Sequence, residues 1–164
     1  MQLCLIYDDA SGFCKIIVPK GDKWASLDSD EAAVRNLHAV AIPDCVEFIA
    51  CRLELIPTDR TFRQAWRKGT AKEPIVIDFA DALAIHRKRL EEACALKVEQ
   101  LQRDLVLALE KDNLPEVVAI RRTSSIMRNL SVKTDLTHCK TVDDIKWSIP
   151  RELFDVWHWY PPRQ

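Results

Sequence analysis

Between Phe79 and Leu109 the chain runs for about thirty residues with apolar positions at helical spacing and neither Gly nor Pro. Leu83, Leu90, Cys94, Val98, Leu101, Leu105 and Leu109 step by sevens, fours and threes, which gives one apolar stripe. Arg87, Lys88, Arg89, Glu91, Glu92, Glu99, Gln100, Arg103 and Asp104 occupy the other sides. Asp78 is placed to cap the start. Val106 and Leu107 widen the apolar surface near the end, where a second helix is expected to cover it. Lys111 to Pro115 makes a corner, with Asn113 as N-cap and Pro115 in the first turn, where its missing N–H costs nothing. Val117, Ile120, Ser124, Met127 and Leu130 or Ser131 form a returning stripe, so the pattern predicts an αα-hairpin.

Ahead of the hairpin the spacing changes. Leu3 to Tyr7 and Cys14 to Val18 are apolar, β-rich runs separated by Asp8-Asp-Ala-Ser-Gly12, whose turn chemistry predicts a β-hairpin. A two-residue loop would set Cys4 and Cys14 on opposite sheet faces, and a three-residue loop reverses that parity. Pro19 to Asp28 reads as a loop, and Ser29 or Asp30 opens a short helix that places Ala33, Val34 and Leu37 inward. Val46 to Ile56 reads as one bent strand or two short ones. In Pro57 to Trp66, Thr58 or Asp59 can cap one or two helical turns; there Asp59 can pair with Arg63, and Phe62 shares a face with Trp66. Gly69 closes that unit, and Pro74 to Asp78 is a short strand. After the hairpin, Thr141-Val-Asp-Asp144 opens a short helix through Trp147, stopped by Pro150. Four aromatic rings follow between Phe154 and Tyr160.

The expected fold is therefore α+β: a small antiparallel β-rich N-terminal domain over residues 1–77, a C-terminal α-helical hairpin over 78–131, and a short helix with an aromatic tail over 132–164. Hydrophobic residues make up 48% of the chain and charged ones 30%, as in an ordinary globular protein. The net charge of −1 gives no global attraction for nucleic acid or an anionic membrane. No apolar run approaches the roughly 20 residues that span a bilayer, and Met1 to Tyr7 lacks the pattern of a signal peptide.

Chemistry-bearing patterns are sparse. The sequence holds no nucleophile elbow, P-loop, dinucleotide glycine pattern or H-E-x-x-H. Six cysteines (Cys4, Cys14, Cys45, Cys51, Cys94 and Cys139) form no C-x-x-C pair. They read as buried free thiols, with disulfides formed outside the cell as the sharper alternative and a metal site behind both. His86 reads as a helix-surface or interfacial side chain rather than a catalytic base. Asp143-Asp144 reads as helix capping against a carboxylate pair, and Asp8-Asp9 as turn chemistry against a cation site. Arg87 to Arg89 with Arg121-Arg122 is a solvated face by default, or a phosphate site if the hairpin brings them together. Trp157, Trp159 and Tyr160 serve equally well as core cover or as anchors for a partner.

The segment Leu55-Ile-Pro-Thr-Asp-Arg-Thr-Phe-Arg-Gln-Ala-Trp66 resembles one in a family of uncharacterised phage and prophage proteins encoded near tail-fibre genes. Ile77-Asp-Phe-Ala-Asp-Ala-Leu-Ala-Ile-His-Arg87 is similar to that family's helix opening, and Thr141 to Trp147 to its capped, Trp-bearing segment. The resemblance centres on Asp59 to Trp66 and the following hairpin, and it carries no catalytic residues over. It implies a virion structural protein, an adaptor in the tail or tail-fibre region that acts by protein–protein association. The alternative is a cytosolic tail-fibre assembly chaperone absent from the mature particle. On this reading the chain is made in the host cytoplasm and resides in the tail. Its partners are other phage structural proteins and further copies of itself. It is not an enzyme, takes no cofactor or metal, and binds neither membrane nor nucleic acid. The residues expected to contact protein partners are Leu90, Val98, Leu101, Leu105, Trp157, Trp159 and Tyr160.

Overall fold

The computed structural model describes residues 3–18 and 46–160, and the loop and helix expected between Pro19 and Ala41 lie outside them. The fold is α+β, with small antiparallel sheets towards the N-terminus and helices after them. The chain divides into two compact units, Met1–Asp81 and Ala82–Gln164.

In the first unit, β1 (Leu3–Asp8) lies between β2 (Cys14–Ile17) and β3 (Phe48–Arg52), antiparallel to both. Its uninterrupted apolar run is explained by burial on both faces. Cys4 and Ile6 share one face with Cys14, Ile16, Cys51, Trp66 and Ile75, while Leu5 packs with Tyr7, Ile17, Phe48 and Ala50 on the other. Asp8 pairs with Cys14 and Asp9 N–H donates to the Phe13 carbonyl, so the loop is the three residues Ala10 to Gly12. Gly12 supplies the positive φ, 78°, that this loop needs. Cys4 and Cys14 consequently fall on the same face, the parity of the longer loop.

Val46 to Ile56 resolves into β3 followed by a single 3-10 turn, Leu53–Leu55. The helical turns expected from Thr58 or Asp59 shorten to a 3-10 turn at Arg63–Ala65, preceded by a turn in which Asp59 accepts from Thr61 N–H. Trp66 then opens β4 (Trp66–Lys68), which pairs antiparallel with β5 (Ile75–Ile77). Phe62 and Trp66 are both buried. A Cβ at Gly69 would stand 2.1 Å from the Glu73 carbonyl oxygen, so the β4–β5 turn closes only with glycine there.

Helix α1 (Phe79–Glu110) has 32 residues and is about 48 Å long. Asp78 caps it by accepting from Asp81 N–H at 2.9 Å. Asp112 and Asn113 N–H groups bond back to the Leu109 and Ala108 carbonyls and end it in a Schellman arrangement, with Asp112 at φ 51°. Asn113 also caps α2 (Leu114–Lys133), accepting from Glu116 N–H, so one residue ends one helix and starts the next. Helix α2 returns along α1 far enough for Ser131 and Cys94 to line one groove. With 20 residues, about 30 Å, it leaves the N-terminal part of α1 uncovered. That part is closed by the last described segment. There, α3 (Val142–Trp147) starts with a capping box of Thr141 and Asp144, and a 3-10 turn follows at Arg151–Leu153.

Candidate protein interface

The buried face of α1 is Ala82, His86, Leu90, Ala93, Cys94, Leu101 and Ala108, and that of α2 is Val117, Ile120 and Met127. Of the residues expected to contact partners, Leu90, Leu101, Trp157 and Tyr160 are buried within the chain, and Val98, Leu105 and Trp159 are half-buried. A groove of about 420 Å³ opens between α1 and α2, lined by Cys94, Val98, Gln102, Arg128 and their neighbours.

His86 is fully buried, not at the helix surface as its basic neighbours suggested. It continues the stripe one turn after Ala82 and one before Leu90, and the C-terminal segment covers it. The Ser148 carbonyl can only accept, so Nε2–H donates to it at 3.1 Å. Nδ1 is then left to accept from the Tyr160 hydroxyl, also at 3.1 Å. Burial lowers the imidazole pKa, opposed by the Ser148 bond and reinforced by Arg89. The Trp157 ring lies 5.5 Å from the imidazole, and Tyr160 packs edge-on to Trp157 and Trp147. Arg89 and Lys146 sit over the Tyr160 ring, and Lys97 pairs with Asp155. The aromatic tail is thus a lid on the first half of α1, held by one histidine, two cations and an ion pair.

Other candidate groups also have local structural partners. Asp9 accepts from Ser11 and Phe13 N–H groups, and Asp8 accepts from Lys68 N–H, bracketing β1 to β4. Asp144 accepts from Lys140 and Thr141 N–H groups, which lower its pKa. Arg89 turns to Tyr160, whereas Arg87, Lys88, Arg121 and Arg122 are exposed. A contact the sequence reading missed places His138 Nε2 3.3 Å from Ser148 Oγ, with Cys139 Sγ at 3.2 Å. The Ser148 hydroxyl donates to the Asp144 carbonyl at 2.7 Å, so its proton is engaged in closing α3 rather than offered to the histidine. Only the short spacing from His138 to Ser148 could have signalled it. Among the described residues no group of three or more His, Cys, Asp or Glu side chains is placed to hold a metal ion. No described helix is long and apolar enough to cross a membrane.

Exposed apolar side chains gather at the closed end of the hairpin, besides single ones elsewhere such as Ile126 and Val132. Val106 is 54% exposed, Leu107 52%, Leu114 69% and Val118 66%, and Leu109 joins them. This departs from the expectation that α2 covers Val106 and Leu107. At about 100° per residue they fall on opposite flanks of the Leu101, Leu105 and Ala108 stripe, so they ring the helix end instead of extending its buried face. Around this collar Asp104, Glu110, Asp112 and Glu116 are exposed, and so are Arg103, Lys111, Arg121 and Arg122, so the rim is charged with both signs. Scattered exposed apolar side chains are ordinary, whereas these five lie within about one helical turn of a single corner. Comparison with family models, curated proteins and solved structures finds no match to this chain.

Proposed function

We propose that this chain acts by protein–protein association, as a small multi-copy adaptor in the tail or tail-fibre region of a phage particle. The observation that carries the association is the exposed apolar collar of Val106, Leu107, Leu109, Leu114 and Val118. Covering five such side chains against a partner is favourable by about 25 cal/mol per Å² of apolar surface removed from water. The phage setting is supported by the likeness of Leu55 to Trp66 and of the following helix opening to proteins encoded near tail-fibre genes. The buried aromatic lid leaves the C-terminal rings to stabilise the scaffold, while the hairpin end meets the partner.

Mass spectrometry of purified particles tests this reading. The chain is expected at a fixed stoichiometry to a tail component. Absence from every particle preparation overturns the adaptor role. Absence from particles with co-purification on tail fibre from producing cells would instead establish the assembly-chaperone alternative.

A further inference from the structure

In the register of β1 and β3, Cys4 stands directly opposite Cys51. Their sulfurs are 3.4 Å apart, and the Cys4 thiol also reaches the Cys51 carbonyl at 3.5 Å. Opposed residues on an antiparallel pair have Cα atoms about 4.5–5.5 Å apart, inside the window of about 4.4–6.8 Å that a disulfide requires. Bringing the sulfurs from 3.4 Å to about 2.0 Å is a matter of side-chain rotation with the ladder in place. The neighbouring thiol does not compete. Cys14 shares the face but pairs with Asp8, four residues along β1 from Cys4, or about 13 Å at strand rise.

We propose that Cys4 and Cys51 form an oxidisable dithiol site that closes to a disulfide stapling β1 to β3. The oxidant is a low-molecular-weight disulfide such as oxidised glutathione. Cys51 enters first, being the more accessible of two nearly enclosed thiols. Burial raises both thiol pKa values, that of Cys4 to about 12, while the bond from Cys4 works in the other direction on Cys51. The Cys51 thiolate attacks one sulfur of the oxidant, whose S–S bond breaks and releases one thiolate. The Cys4 thiolate then attacks Cys51 sulfur in the mixed disulfide and expels the second. The two cysteine protons pass to the released thiols, and the oxidant gains two electrons. The closed loop spans a separation of 47 residues, for which chain entropy lowers the unfolding equilibrium constant of the first unit by about a thousand-fold. This site is independent of the association reading.

The test uses the full chain, refolded from denaturant in glutathione buffers of increasing oxidising strength so that burial does not limit access. Peptides are then mapped by mass spectrometry without reduction. The expected result is one cross-linked pair, Cys4 with Cys51, lighter by two hydrogens, and a higher unfolding midpoint than the reduced chain. Cys4→Ser is expected to leave Cys51 as a mixed disulfide with glutathione. A bridge from either residue to Cys14, Cys45 or another cysteine overturns the proposal. So does recovery of both as free thiols from the most oxidising buffer, a readout on the wild-type chain that stands even if the variant fails to fold.

Discussion

Leu90 and Leu107 occupy the same helix with opposite surroundings, and truncating each to alanine separates packing from helix propensity. Leu90 is 0% exposed, one turn beyond His86 and one before Cys94, where α1 is enclosed by the C-terminal segment. Removing its isobutyl group forfeits transfer free energy and leaves a cavity that two-sided packing cannot collapse, about 3 kcal/mol in all. Leu107 is 52% exposed, and its loss is expected to stay within about 0.5 kcal/mol. Alanine propagates a helix at least as well as leucine, so propensity cannot account for a loss at either site. For a unit of the size of Ala82–Gln164, about 3 kcal/mol corresponds to a fall of about 12–24 °C in Tm. Urea unfolding followed by circular dichroism and tryptophan fluorescence measures both variants. Equal losses at the two sites, or a loss below about 1 kcal/mol for Leu90→Ala, would refute the assignment of the buried stripe.

Other outcomes follow from single groups. Because burial depresses the His86 pKa below its usual 6.5, stability is full above that pH, where the imidazole is neutral in both states. As pH falls through 6.5 the unfolded chain takes up a proton the folded chain refuses, so stability drops until the folded pKa is passed. His86→Gln should remove that slope in pH-resolved denaturant titrations, and an unchanged slope would assign it elsewhere. Asp112 holds a left-handed conformation at φ 51°, so Asp112→Gly should raise stability by about 0.5–1 kcal/mol, checked by urea midpoint. Gly69→Ala should lose about 2 kcal/mol or more, because its methyl meets the Glu73 carbonyl, and an unaltered Tm would show that the β4–β5 turn relaxes freely.

The elements the sequence signalled well are those fixed within a few residues. Asp78, Asn113 and Thr141 cap the helices expected of them, and Val117, Ile120 and Met127 form the buried stripe read from spacing alone. What escaped the reading depends on contacts far along the chain. His86 looks like a surface residue beside Arg87 and Lys88 until Tyr160 and Ser148, more than sixty positions away, enclose it. The same holds for Cys51, which meets Cys4 only through the register of β3 on β1. Trp66 shares helical spacing with Phe62 yet opens a strand, where it pairs with Ile77 eleven positions on. For the candidate interface, the stripe counted as an association surface is largely consumed inside the chain. The apolar residues left over, Leu114 and Val118 among them, sit where periodicity alone assigns no role.

Site-specific photo-crosslinking in particle-producing cells tests the claim that the hairpin end binds protein most directly. A photoreactive residue is placed at Leu107 or Leu114, with exposed Lys88 as the control. The account predicts that both apolar positions capture one tail or fibre protein, identified by mass spectrometry, while Lys88 captures none. Capture at Lys88 equal to that at Leu107 and Leu114, or none at any of the three, would contradict it.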